Sequence, residues 1–223
     1  MRIDKLVANA LNCSRKDAHL FIRQKRILVN QQPVKISQLI KLTEDVVTFD
    51  QEIINYKEFY YYMFNKPYGY LTANYDKNSP VIFDLITELD RNKYFAVGRL
   101  DKDTEGLLII TNDGEFAHKM SHPRQHIPKK YYLEVDNDFN AAIIQHKGPI
   151  PIENYIVQDY SFNFLTPRSA ELTIYEGKFH QVKQMLTFFG YKVVFLKRIS
   201  FGKINLPDDL LKGQIREFDP QKI

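Results

Sequence analysis

The stretch GRLDKDTEGLLIITNDG, residues 98–114, crowds Asp101, Asp103 and Glu105 into one glycine-bearing turn between two apolar runs. A turn between strands presents a side chain rigidly at a cleft. Three readings compete for such a cluster. It imitates the opening of a calcium loop, D-x-D-x-[DN]-G, but that loop needs a glutamate at its twelfth position, where Asn112 stands, and flanking helices, where residues 107–111 read as a strand. Its carboxylates could divide acid and base work, as in glycoside hydrolysis, although nothing else in the chain resembles a sugar site. A random acidic turn, finally, is usually just a solvated surface.

The whole string decides among these, because GRLDKDTEGLLIITNDG resembles the catalytic motif of pseudouridine synthases of the RsuA type. In that family the aspartate after Gly-Arg-Leu is the catalytic carboxylate, which the resemblance places at Asp101. KKYYLEV is similar to the strand whose tyrosine lies beside the target base, and alignment on Lys-x-Tyr selects Tyr132 over Tyr131. EGKFHQVKQM resembles the third motif, whose basic residue after His-Gln-Val pairs with the catalytic aspartate; here that is Lys183. NKPYGYLT and FLKRISFG are also family-like, with Arg198 at a recurring arginine position. Gln184 departs from the pattern where the family often has a second basic residue.

The resemblance implies isomerisation of a uridine to its carbon glycoside in small-subunit ribosomal RNA, with no metal or organic cofactor. The substrate would be that RNA or the assembling subunit. Large-subunit RNA is the rival substrate, and the short chain without a basic tail and the HQVKQM wording tip the choice. A non-catalytic RNA-binding protein of ribosome assembly is the other rival, and it would not need Asp101, Tyr132 and Lys183 together.

The chemistry breaks the bond from N1 to the ribose, turns the uracil while it stays bound, and rejoins it through C5. A carboxylate can attack the anomeric carbon or take a proton from the neighbouring sugar carbon. It must be ionised in a site dry enough to hold a base, and a neighbouring cation favours that form, the role implied for Lys183. A uridine in folded RNA must be extruded, at a cost of a few kcal/mol of stacking, which phosphate contacts from Arg99, Arg198 and a basic head could offset. His118, His122 and His126 lie four apart, but Pro123 interrupts the helix a metal site would need, so they read as surface or RNA-facing groups.

The elements that position these residues are legible in outline. Ile3, Leu6, Val7, Ala10 and Leu11 recur at helical spacing. A second helix starts at Ser14 with Asp17 as its capping-box partner, and Arg15, His19, Arg23 and Arg26 share one face of it. RILVNQQPVK reads as strand, turn and strand, with residues 30–33 as the turn, and residues 45–50 as another short strand. Residues 1–41 hold nine Lys or Arg against Asp4 and Asp17, although the whole chain is only +4. A basic helix on a compact helix, helix, hairpin unit suggests phosphate contact through Arg15, Lys16, Arg23 and Arg26. The segment is similar to the alpha-L RNA-binding motif, departing from it at Gln31, where a glycine is common. Residues 50–58 read as a connector, which gives an RNA-binding domain with its linker over 1–58 and a catalytic domain over 59–223.

In the body, apolar runs of β-branched and aromatic residues read as strands. They are interrupted by helices near 113–120 and 138–145, and by a third that carries Val182, Met185, Leu186 and Phe189 and stops at Gly190. The irregular order predicts an α+β fold with a mixed, largely antiparallel sheet. The hydrophobic fraction of 44% and charged fraction of 26% fit a folded chain. No stretch has the roughly 20 apolar residues of a membrane span, and the start lacks the core of a signal peptide, so the expectation is a cytoplasmic protein; a monomer is a separate expectation. The single Cys13 offers neither a disulfide nor a zinc site.

Overall fold

The computed structural model describes residues 1–220 and divides into two compact units, Met1–Glu58 and Phe59–Ile223. The first begins with helices α1 (Ile3–Ala10) and α2 (Arg15–Arg23), followed by strands β1 (Ile27–Val29), β2 (Gln32–Pro33), β3 (Val47–Phe49) and β4 (Glu52–Ile53) in the sheet order β2-β1-β3-β4. The Ser14 side chain and Asp17 form a reciprocal capping box on α2, which satisfies amides that have no partner within the helix. Ile3, Leu6, Val7, Ala18, Ile22 and Ile27 close a small core.

Two expectations change here. The hairpin turn is only Asn30-Gln31, with Pro33 already in the strand. Its residues have φ of 50° and 66°, the left-handed pair of a two-residue hairpin turn. Gln31 therefore keeps the turn that a glycine would make, at some steric cost. The supposed connector contains β4, folded back on β3 through a second such turn at Asp50-Gln51, with φ of 48° and 73°.

The second unit contains β5 (Tyr61–Lys66), β6 (Phe95–Val97), β7 (Glu105–Thr111), α3 (Gly114–Ser121), β8 (Lys129–Val135), α4 (Ala141–Ile144), β9 (Ile150–Ile152), β10 (Tyr155–Val157), β11 (Tyr160–Thr166), β12 (Ser169–Ile174), α5 (Gln181–Phe188), β13 (Val193–Phe201), β14 (Ile204–Asn205) and β15 (Ile215–Glu217). The fold is α+β, as the texture of the chain predicts. A mixed sheet runs β11-β12-β8-β13-β7-β5-β15, with β14 on β13 and β6 on β7. Its pairings are antiparallel except β13 against β7. The helix read near 138–145 is the single turn of α4, capped by the Asn140 side chain.

Every residue of β7 is buried, because both faces of the sheet are covered. Leu108 and Ile110 point into one core with Phe64, Tyr131 and Leu133, while Leu107 and Ile109 point into another with Val97 and Phe201. A strand covered on both faces reads as the continuous run LLII rather than as an alternation. The short parallel contact between β7 and β13 pairs Arg198 with Gly106. A Cβ on Gly106 would lie 2.3 Å from the Arg198 carbonyl oxygen, and its φ is +99°, so this crossing requires glycine.

Candidate active site

Strands β6 and β7 form a hairpin whose loop, residues 98–104, carries Asp101. Leu100, just before it, is buried, and the Thr72 hydroxyl binds it twice, donating to its carbonyl at 2.8 Å and accepting from its amide at 3.1 Å. After Asp101, the Thr104 amide donates back to the Asp101 carbonyl at 3.1 Å, and the Gly69 amide donates to the Lys102 carbonyl at 2.8 Å. Lys66, fully buried at the end of β5, donates from Nζ to the carbonyls of Pro67 at 3.1 Å, Lys102 at 3.3 Å and Thr104 at 2.8 Å. Burial pushes its pKa down to about 8, against the pull of Asp103, Glu105 and Asp101. The loop is thus held on both sides of Asp101 by Thr72 and Gly69 from the segment after β5 and by the buried Lys66 that ends β5.

The basic partner comes from α5. Lys183 Nζ donates to Asp101 Oδ2 at 2.8 Å and to Asp103 Oδ1 at 2.6 Å. Burial works to lower its pKa, but the hydrogen bonds it donates to both carboxylates outweigh that and raise it. The pKa of Asp103 is lowered: its partial burial works upward and is outweighed by the Lys183 hydrogen bond and charge. The other Asp101 oxygen, Oδ1, has His180 Nε2 at 3.7 Å, too far for a strong bond. One carboxylate oxygen is therefore engaged and the other is left for a reacting atom. At Gln184, the position that departs from the basic pattern, the side chain donates to the Phe179 carbonyl at 2.7 Å and accepts from the Glu153 amide at 2.8 Å. It braces the start of α5 rather than facing a ligand.

Asp101, Asp103 and Lys183 line a cavity of about 730 Å³ together with Arg99, Lys129, Tyr131, Glu176, His180 and Arg198. That volume suits a small organic group such as a nucleoside.

The tyrosine chosen by the Lys-x-Tyr alignment is corrected. Side chains alternate along β8, so Tyr131, Leu133 and Val135 face the core and cavity while Tyr132 faces away. Tyr132 donates its hydroxyl to Glu134 at 2.7 Å and packs edge-on against Phe195. Tyr131 is the residue on the cavity wall. Arg198 is also relocated: it is 2% exposed, and its Nε donates to the Leu107 carbonyl at 2.7 Å. It cannot serve as a surface phosphate contact. Arg99, in contrast, is exposed at the cavity.

In the first unit Arg15, Lys16 and Arg23 lie exposed on α2. Arg26 lies beyond the helix end, donating from Nε and Nη2 to Asp50 and seated 4.9 Å from the Phe21 ring and 4.5 Å from that of Phe49. That guanidinium ties the helix to the sheet and is not free for phosphate. His122 uses Nδ1 to accept the Arg124 amide at 3.2 Å and its ring lies against His118. Lys66, Thr72 and Lys129 were missed from sequence. Lys66 and Thr72 lie within the family-like NKPYGYLT and Lys129 opens KKYYLEV, but the sequence does not show what their side chains hold.

The profile of the RNA pseudouridylate synthase family matches residues 60–188, and that of the S4 domain residues 1–47. An uncharacterised RNA pseudouridine synthase of Bacillus subtilis is 37% identical over all of this chain and 97% of its own length. The ribosomal small subunit pseudouridine synthase A of Escherichia coli is 33% identical over all of this chain and 98% of its own. A crystal structure of a pseudouridylate synthase superposes with a TM-score of 0.68 at 30% identity, covering all of this chain and 97% of that one.

Proposed function

The chain belongs to the RNA pseudouridylate synthase family, and from that membership we propose that it isomerises one specific uridine of small-subunit ribosomal RNA, with Asp101 as the reacting carboxylate. The observation that carries this reading is the ionic pair of Asp101 and Lys183 at 2.8 Å on the wall of a nucleoside-sized cavity. Full-length relatives named for the small subunit support the choice of RNA.

In this reading the target uridine leaves its stack and enters the cavity. Asp101 attacks the anomeric carbon or removes the C2′ proton, and Lys183 holds the carboxylate in place through its ionic hydrogen bond. Tyr131 takes the place first given to Tyr132: it lies against the uracil and near the C5 proton. Arg15, Lys16 and Arg23 on α2, and Arg99 beside the cavity, contact phosphates and offset the cost of extruding the base.

The test is pseudouridine mapping on both ribosomal RNAs, as transcripts and as assembling subunits, after incubation with the protein. A single new pseudouridine in small-subunit RNA is expected. A site in large-subunit RNA alone overturns the substrate, and no site in either overturns the reading.

A further inference from the structure

The cavity wall contributed by β8 and β13 is cationic, and the steps assigned to Asp101, Lys183 and Tyr131 leave that charge unused. In register, Arg198 sits directly opposite Tyr131, and Lys129 opposite Phe201. Lys129 and Tyr131 are two apart on one strand, so all three side chains share the cavity face. Arg198 has no carboxylate partner among the described residues. Its guanidinium lies 4.9 Å from the Phe201 ring, Nε is spent on the Leu107 carbonyl, and buried Nη2 has no hydrogen-bond partner. Lys129 Nζ donates to the Ile127 carbonyl at 2.9 Å and lies 5.1 Å from the same ring. Two like charges on one poorly solvated wall repel each other and lose hydration, so the arrangement favours an anion between them.

We propose, resting on the uridine-isomerising reading above, that Lys129 is the cation that holds the detached uracil, with Arg198 behind Tyr131 as a positioning residue that keeps the wall positive. When the bond between N1 and C1′ breaks, its electron pair leaves with the base, and the charge spreads over N1, O2 and O4. C1′ is bonded by the Asp101 carboxylate, or C2′ gives its proton to it. The uracil then turns about the line from N3 to C6, which exchanges N1 with C5 and O2 with O4. One fixed cation beside a carbonyl oxygen therefore meets an equivalent oxygen before and after the turn. An ammonium suits this, because its three donors are free to rotate where a guanidinium fork is fixed. C5 finally bonds C1′ as the Asp101 oxygen leaves it, or as Asp101 returns its proton to C2′; the C5 proton then leaves and N1 gains one, so nothing is consumed.

Burial, and after it Arg198, push Lys129 down to about pKa 8, with Glu176 opposing. Arg198 from β13 and Glu176 from the loop after β12 act on it directly; Tyr131 from its own strand, and Arg99, Asp101, Asp103, Lys178, His180 and Lys183, line the same cavity. The ammonium is thus present at neutral pH and lost in mild alkali.

The experiment compares single-turnover rates of Lys129→Met and Lys129→Arg with wild type, on a substrate RNA carrying uridine or 5-fluorouridine at the target. Fluorine makes the departing base a weaker base, so its release leans less on a cation. Lys129→Met is expected to slow uridine conversion about 100-fold and cleavage of the fluorinated nucleotide about 10-fold or less, with RNA affinity unchanged. Lys129→Arg, which keeps the charge but not the freely rotating donors, recovers only part of the rate and abolishes the decline expected above about pH 8. Equal deficits on both bases, or no deficit, overturn the proposal. Should Lys129→Met fail to fold, as a melting curve would report, Lys129→Gln gives the same comparison. A wild type that converts no uridine sinks the isomerase reading itself; an active wild type with normal Lys129 variants sinks only this inference.

Discussion

Replacing Gly106 with alanine tests whether the crossing of β7 and β13 is what assembles the cavity. The new Cβ would stand 2.3 Å from the carbonyl oxygen and 2.9 Å from the amide nitrogen of Arg198, both backbone atoms, and 2.9 Å from Lys197 Cγ. A comfortable carbon-to-oxygen contact is about 3.3 Å or more, so the strands must part by about 1 Å. The left-handed φ of +99° costs an L-residue about 1–2 kcal/mol, and overpacking in a closed core adds about 1–3 kcal/mol. The sum, about 2–5 kcal/mol, corresponds to a fall in melting temperature of roughly 4–20 °C for a chain of this size. Because Asp101 and Arg198 flank this crossing in the chain and in the sheet, a shift of about 1 Å should also cost on the order of 100-fold in turnover. Gly114→Ala is the control: no atom lies within 4 Å of its Cβ, and it opens α3. Thermal melts and single-turnover assays on both variants decide the matter. A Gly106→Ala melt within about 2 °C of wild type, or a Gly114→Ala change as large, would refute the packing argument.

Three further outcomes are expected. Tyr131→Phe should lower turnover at least about 10-fold, whereas Tyr132→Phe should leave turnover intact; the reverse pattern would restore the alignment-based choice. Asp103 has a folded pKa below its ordinary 3.8, so its pairing with Lys183 contributes stability above that pH and loses it as pH falls through the folded value. The melting-temperature gap between wild type and Asp103→Asn should therefore be flat from neutral pH down to about 5 and close below 3.8; a gap that persists in strong acid contradicts the assignment. Replacing Arg15, Lys16 and Arg23 together with glutamine should reduce the slope of log binding constant against log salt by about 2–3. Arg26→Gln should lower the melting temperature while leaving that slope alone.

The parts of this molecule that could be read from its sequence are those fixed by local rules. The capping box at Ser14, the continuous apolar run of β7 and the glycine stop after α5 each follow from residues within one turn or strand. What escaped depends on register between distant segments. Arg198 looks like a surface cation in FLKRISFG, and only its pairing with Gly106 and Tyr131 buries it. Arg26 looks like part of a basic helix face until β3 and β4 bring Asp50 against it. The Lys-x-Tyr pattern fits either Tyr131 or Tyr132, whereas the strand period, with Tyr131, Leu133 and Val135 alternating along KKYYLEV, selects Tyr131. The two-residue strands β2 and β4 carry no periodic signal at all.

The central claim is that Asp101 performs the chemistry while other residues bind the RNA. Asp101→Asn keeps the size and shape of the side chain and removes its charge, so RNA affinity should stay close to wild type and the melting temperature should fall no further than for Asp103→Asn. The measurement is single-turnover formation of pseudouridine by this variant at saturating enzyme. The account predicts no detectable product with binding intact. Product formation within about 10-fold of wild type would contradict it.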